Sequence, residues 1–132
     1  MNQSIKYDSM MDDECIGLCD ALNRIPGIRT LESCCGHGRH GFWVWFTITE
    51  PYKNLTVVGR VFDNRYGGLE GWNCILDCTD CPETSPVFLI SSNQIMGPLA
   101  YDQANKIAEN LDLHMKHPEF LHIFGIQTQK TK

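Results

Sequence analysis

A glycine-rich loop joins two strand-like segments in the stretch LESCCGHGRHGFWVWF, residues 31–46. The loop itself, residues 35–41, contains three glycines, two histidines, one cysteine and one arginine. Glycine permits positive φ angles and a close approach of the backbone to a ligand, and successive N–H groups in such a turn can bind an anion together with Arg39. We therefore interpret the loop as a pocket for a small anionic molecule. The alternative is a hairpin turn that needs glycine only for its geometry.

Two further segments are predicted to complete this pocket. The segment RYGGLEGW, residues 65–72, brings Arg65, Tyr66 and Trp72 to the start of a second hairpin, and Ser91 ends the last strand. If these residues reach the same end of the sheet as the loop, they supply hydrogen-bond donors for a phosphate and aromatic faces on which a base can stack. The alternative for the two aromatic side chains is an ordinary place in the core. The predicted phosphate and ribose contacts from the loop are Cys35, Gly36, His37, Gly38, Arg39 and His40.

Apolar periodicity divides the chain into helices and strands of one domain, residues 1–132. The pattern predicts helices over 11–25, about 54–65 and 98–117, and strands over 28–34, 42–49, 71–79 and 86–91. Two strand–strand–helix units therefore follow an N-terminal helix, which predicts an α+β fold with a four-stranded, mainly antiparallel sheet and packed helices. The second strand is apolar on both faces, which predicts a central strand covered on each side. Residues 1–9 and 125–132 are expected to be loose ends.

The charge distribution favours a local anion site over an extended nucleic-acid surface. The chain has a net charge of −5, but residues 28–66 carry five basic and three acidic side chains, a local charge of +2. Nucleic-acid binding needs a broad Lys/Arg face that displaces counterions, and this chain has none evident. No apolar run approaches the roughly 20 residues that span a bilayer, and the N-terminus lacks a signal-peptide core. We therefore expect a cytoplasmic protein without membrane contact.

The seven cysteines raise two alternative functions. In the cytosol they are expected to be reduced thiols or metal ligands, and Cys15 and Cys19 lie on an apolar helical stripe as small core residues. Cys35 beside two histidines and Arg39 is a possible nucleophile, but no carboxylate is obviously placed to orient a histidine, so binding is favoured over catalysis. A structural zinc is the other alternative, although adjacent cysteines seldom ligate one ion, and the prediction includes no metal. Its possible ligands are Cys34, Cys35, His37, His40, Cys74, Cys78 and Cys81.

The residues Ser33-Cys34-Cys35-Gly36-His37 carry a resemblance to known proteins. From about Ile25 to Leu111 the chain resembles a group of small proteins of bacteriophages and their hosts, in which an IPGIRT…SCCGHG hairpin precedes an aromatic strand, a helix and a RYGG…GW turn. The resemblance implies a protein that sequesters a nucleotide-derived ligand, such as a host defence signal, in the host cytoplasm. Whether two copies pair through a sheet edge to form a homodimer stays open.

A more distant resemblance concerns the tRNA wybutosine-synthesis methyltransferase family, which uses S-adenosylmethionine. Its Cys-Ser-Gly-Arg signature falls on residues 34–37, where Cys35 replaces the serine and His37 replaces the arginine. This resemblance implies a shared fold and, as an alternative function, an S-adenosylmethionine-dependent RNA-modifying enzyme. The third alternative is a zinc-stabilised module that binds another protein.

Overall fold

The computed structural model of the protein describes residues 11–77 and 85–117. The predicted loose ends, the turn at 80–84 and the thiols of Cys78 and Cys81 lie outside these residues. The described elements confirm the α+β fold, with two strand–strand–helix units after an N-terminal helix. In chain order they are α1 (Asp13–Asn23), β1 (Ile28–Cys34), β2 (Trp43–Ile48), α2 (Leu55–Val61), β3 (Asn73–Leu76), β4 (Val87–Ser91) and α3 (Pro98–Lys116).

The four strands form one antiparallel sheet in the order β1-β2-β4-β3. Every pair of neighbours is antiparallel, as the sequence predicts. One row of paired residues crosses the whole sheet, from Cys34 through Trp43 and Ser91 to Asn73. The glycine loop after β1, the start of β3 and the end of β4 therefore lie at the same end of the sheet.

Strand β2 lies between β1 and β4, as a central strand should. Its side chains Val44, Phe46 and Ile48 are buried on one face and belong to the hydrophobic core. On the opposite face Trp43 and Trp45 are only half-buried, with their ring centroids 5.4 Å apart. Strand β2 is therefore central, as the sequence predicts, and its Trp43–Trp45 face is partly covered.

Helices α1 and α3 supply the other side of the core. Cys15 and Cys19 in α1 are completely buried, which confirms their prediction as small core residues. Burial also raises the pKa of the Cys15 thiol to about 12 and that of Cys19 to about 11, so both stay protonated at neutral pH. Arg24, just after α1, makes a bidentate ion pair with Asp112 of α3 at 2.7 and 3.0 Å. None of the helices in the described part of the chain combines the length and apolar character needed to cross a membrane.

The middle helix is shorter than predicted. Helix α2 ends at Val61, and a separate short turn, Asn64–Tyr66, follows it. The side chain of Asp63 accepts a hydrogen bond from the backbone N–H of Arg65 at 2.9 Å. An aspartate side chain that is hydrogen-bonded to the backbone two residues later competes with helix continuation. This explains why the helix predicted from the apolar periodicity extends beyond the end of α2.

Candidate functional site

Three consecutive residues of the glycine loop have positive φ angles. They are Gly36 (85°), His37 (54°) and Gly38 (75°). A left-handed conformation costs an ordinary side chain roughly 1–2 kcal/mol, so His37 is held there by its surroundings. The backbone N–H groups of Arg39 and His40 both donate to the carbonyl of Gly36, at 2.9 and 3.2 Å. The loop is therefore closed on itself, with residues 37–40 exposed and Cys35 buried.

The far end of the loop is fixed to the segment between β4 and α3. A Cβ atom on Gly41 would overlap the carbonyl oxygen of Asn93, so only glycine fits there. The buried hydroxyl of Ser92 accepts from the N–H of Phe42 at 2.8 Å and donates to the carbonyl of Ile95 at 2.7 Å. These contacts anchor the loop to the rigid end of the sheet.

The near end of the loop is fixed by Asp12, a residue that the sequence did not assign to the site. Asp12 is the N-cap of α1, but its side chain makes no capping hydrogen bond to its own helix. Its carboxylate instead accepts from the backbone N–H of Cys35 at 3.0 Å. This hydrogen bond holds the pKa of Asp12 below its ordinary value, so the carboxylate is charged at neutral pH. Nε2 of His37 lies 3.8 Å from the same carboxylate.

The thiol of Cys35 lies at the centre of these contacts. Cys35 is buried, and its Sγ accepts from the N–H of His37 at 3.3 Å and from the hydroxyl of Tyr101 at 3.9 Å. The ring Nδ1 of His37 lies 3.7 Å from the same sulfur. Among the described residues, donor atoms of Asp12, Cys35 and His37 all lie within 4.8 Å of one another.

The electrostatics of this cluster disfavour a free thiolate. Burial raises the pKa of the Cys35 thiol; the His37 N–H opposes this shift, and the charged Asp12 adds to it. In a Cys–His–Asp catalytic arrangement the imidazole separates the carboxylate from the nucleophile. Here the carboxylate lies beside the sulfur, where its charge opposes thiolate formation.

The outer surface of the loop is positively charged. Residues 37–40 are all exposed, and Arg39 makes no side-chain hydrogen bond or ion pair with any residue that the structure describes. The other four arginines have partners: Arg24 and Arg65 pair with carboxylates, Arg60 lies over the Tyr66 ring, and Arg29 has an interaction as well. Nδ1 of His40 lies 3.1 Å from the carbonyl of Gly41.

The flanking residues predicted from the sequence have different environments. Ser91 lies in the row of strand residues next to the loop, and its hydroxyl accepts from the N–H of Asn93 at 3.0 Å. Arg65 is exposed, pairs with Asp63 at 2.7 Å and lies 5.9 Å from the centroid of the Tyr66 ring. Trp72 is buried, with 5% of its surface exposed. The centroid of its ring lies 5.6 Å from that of Phe42, the residue that follows the loop.

The possible ligands of the alternative zinc site are only partly brought together. Cys35 and His37 meet, but Sγ of Cys34 accepts from the N–H of Gly36 at 3.3 Å, outside the cluster with Asp12. Cys74 instead lines an apolar cavity of about 310 Å³ between α2 and the sheet. Burial raises the pKa of this thiol to about 12. No loop residue from 35 to 41 is among those that line this cavity.

Comparison with known proteins found no matching family model, no matching curated protein and no matching solved structure.

Proposed function

We propose that the protein binds a small anionic, nucleotide-derived ligand on the exposed face of the loop 35–41. The observation that carries this proposal is the guanidinium of Arg39, which is exposed and has no partner among the described residues, whereas every other arginine has one. A planar guanidinium matches the two oxygens of a phosphate in a bidentate contact. The loop thus offers a hydrogen-bond donor for phosphate that is not engaged by any of the described residues.

Preorganisation of the loop supports binding. Asp12 fixes the loop at Cys35, and the close contact of Gly41 with Asn93 fixes it at the other end. A ligand that binds a rigid loop does not have to order it, and less binding free energy is lost. The imidazoles of His37 and His40 are exposed on the same loop and can donate further hydrogen bonds to a phosphate or ribose.

Sequestration without turnover is the form of this function that we favour. The thiol of Cys35 is buried beside a carboxylate, which disfavours the thiolate that a nucleophile needs. Arg65, Tyr66 and Ser91 are proposed to flank the ligand, with the phenol ring as a stacking face. The proposed place of action is the cytoplasm, or the host cytoplasm if the resemblance to phage proteins reflects the origin of the chain.

The first test is native mass spectrometry of the untagged protein, followed by denaturing release and analysis of any small molecule. An intact nucleotide released unchanged supports sequestration and identifies the ligand class. S-adenosylmethionine or its demethylated product instead supports the RNA-modifying alternative. Calorimetric titration with AMP, ADP-ribose and a cyclic dinucleotide, with inorganic phosphate for comparison, then measures affinity.

The decisive variant is Arg39→Ala, with Lys53→Ala as its control. Both changes remove one exposed positive charge, but Lys53 follows β2 at the end remote from the loop. Loss of a charge-assisted hydrogen bond costs about 1.5–3 kcal/mol, so Arg39→Ala should weaken nucleotide binding by roughly 10-fold or more. Lys53→Ala should bind as the wild type does. Equal affinity of the Arg39→Ala variant and the wild type would remove the loop from the site.

A further inference from the structure

The geometry at the base of the loop points to a second site: we propose that Asp12, Cys35 and His37 bind one divalent metal ion of the zinc class. The proposal does not rest on the Arg39 contact of the anion site, because Arg39 is not one of the three ligands; His37 is the residue that the two proposed sites share. One carboxylate, one thiol and one imidazole from two distant parts of the chain converge there, with donor atoms all within 4.8 Å of one another.

The donor atoms lie near one another but farther apart than in a tetrahedral zinc site. Nδ1 of His37 lies 3.7 Å from Sγ of Cys35, and Nε2 lies 3.8 Å from Oδ2 of Asp12. Zinc bonds of about 2.3 Å to sulfur and 2.0–2.1 Å to nitrogen and oxygen place such donors roughly 3.3–3.6 Å apart. These two distances involve different ring nitrogens of His37, and one donor atom from each residue gives a set within 4.8 Å, so the most distant pair must approach by up to about 1.2–1.5 Å when an ion binds. The His37 side chain is half exposed, so its ring can turn to present one nitrogen to the ion.

The types of donor select the metal. Thiolate and imidazole are ligands of zinc and other late transition metals, whereas magnesium and calcium prefer sites made wholly of oxygen. Three protein ligands leave one tetrahedral position for water or another small ligand. When the ion binds, the Cys35 thiol releases its proton to solvent and a sulfur–metal bond forms.

The surroundings of the three side chains orient them as outer-shell contacts orient metal ligands. The N–H of His37 and the hydroxyl of Tyr101 both donate to Sγ of Cys35. The carboxylate of Asp12 is held by the N–H of Cys35 rather than by its own helix. The positive φ of His37, 54°, is an unfavourable conformation for a side chain that bears a Cβ, and such strain is often retained at ligand sites.

The test uses the full-length, untagged protein after removal of metal with a chelator. Calorimetric titration with Zn²⁺ should give one ion per chain. Titration with Co²⁺ should give the thiolate-to-cobalt charge-transfer absorption and the intense visible bands of a tetrahedral site. The variants that test the ligands are Asp12→Asn, Cys35→Ser and His37→Asn. Asparagine tolerates a positive φ, and an amide oxygen at position 12 still accepts from the Cys35 N–H, so two of the three variants retain the local structure.

The matched controls are Cys34→Ser and His40→Asn, which change a thiol and an imidazole of the same loop outside the cluster. Each ligand variant should bind Zn²⁺ at least 10-fold more weakly than the wild type, Cys35→Ser should lose the charge-transfer band, and both controls should keep it. Absence of Zn²⁺ binding by the wild type overturns the proposal. So does binding that survives in correctly folded Asp12→Asn and His37→Asn variants, checked by near-ultraviolet circular dichroism, since the ion would then be held elsewhere.

Discussion

The carboxylate of Asp12 accepts a hydrogen bond from the backbone N–H of Cys35 at 3.0 Å, across 23 positions of the chain. An aspartate at a helix N-cap usually accepts from the first N–H groups of its own helix, but here the carboxylate serves the loop. The start of α1 and the loop 35–41 are therefore coupled. A substitution at the start of α1 should therefore alter the loop, and a substitution in the loop should alter the start of α1.

Replacement of Asp12 by alanine should destabilise the protein by about 1–3 kcal/mol, because the buried N–H of Cys35 loses its acceptor. Asp12→Asn retains an oxygen at the same position and should cost less than about 1 kcal/mol. Urea denaturation of the metal-free protein measures both values. Asp13→Ala serves as the control, since this exposed acid lies in the first turn of the same helix, where its charge favours the helix dipole by about 0.3–1 kcal/mol. If alanine and asparagine at position 12 are equally destabilising, the hydrogen bond is not the cause.

The elements of the fold could be predicted from the sequence because their patterns are local. The strand predicted over 28–34 has the observed bounds of β1, and the apolar stripe of residues 98–117 predicted α3 to within one residue. The end of α2 was missed because it depends on a side chain, Asp63, that bonds to the backbone. The strand order was not predicted, because antiparallel strands of similar apolar character can pair in more than one order.

Only the part of the candidate site that lies in one continuous segment of the sequence was predicted. The cluster of glycine, histidine and arginine in residues 35–41 marked the loop, and the shared end of the sheet depends on the register between Trp43 and Ser91. In the sequence, Asp12 is simply the first of three consecutive acids at the start of α1, where negative charge favours the helix dipole. Nothing in its spacing from Cys35 indicated contact, since the two residues meet only after α1 packs against the sheet.

The close approach of Gly41 to Asn93 leads to a second prediction. In Gly41→Ala, the added Cβ would overlap the carbonyl oxygen of Asn93, and the backbone would have to shift. Such overpacking typically costs 1–3 kcal/mol, and the displaced loop should also bind its ligand less tightly. Chemical denaturation and ligand titration of the same preparation measure the two effects.

The control for this glycine is Gly59→Ala. Gly59 lies inside α2, and a Cβ there would meet no atom within 4 Å. Alanine in a helix interior is favoured over glycine by roughly 0.5–1 kcal/mol, so this variant should be more stable than the wild type. If Gly41→Ala lowers the free energy of unfolding while Gly59→Ala raises it, the close contact at Gly41 is supported. If Gly41→Ala leaves the free energy of unfolding unchanged, the loop can move away from Asn93 without cost.

The buried imidazole of His114 predicts how stability depends on pH. His114 lies on the inner face of α3 with 5% of its surface exposed. Burial, and to a smaller extent the charge of Arg60, lower the pKa of this histidine from its ordinary value of 6.5. In the unfolded chain the imidazole takes up a proton near pH 6.5, whereas the folded protein resists protonation until a lower pH. Between the two values the unfolded state binds more protons, so the free energy of unfolding rises with pH.

The contribution of His114 is therefore complete above about pH 6.5 and is lost as the pH falls towards its lower pKa in the folded state. One such group changes the free energy of unfolding by at most about 1.4 kcal/mol per pH unit. Urea midpoints at pH 5, 6, 7 and 8 should fall for the wild type below pH 6.5 and stay flatter for His114→Leu, which cannot titrate. If the urea midpoint of the His114→Leu variant falls with pH as steeply as that of the wild type, His114 is not the cause. The pH dependence then comes from another group that the folded state keeps from being protonated.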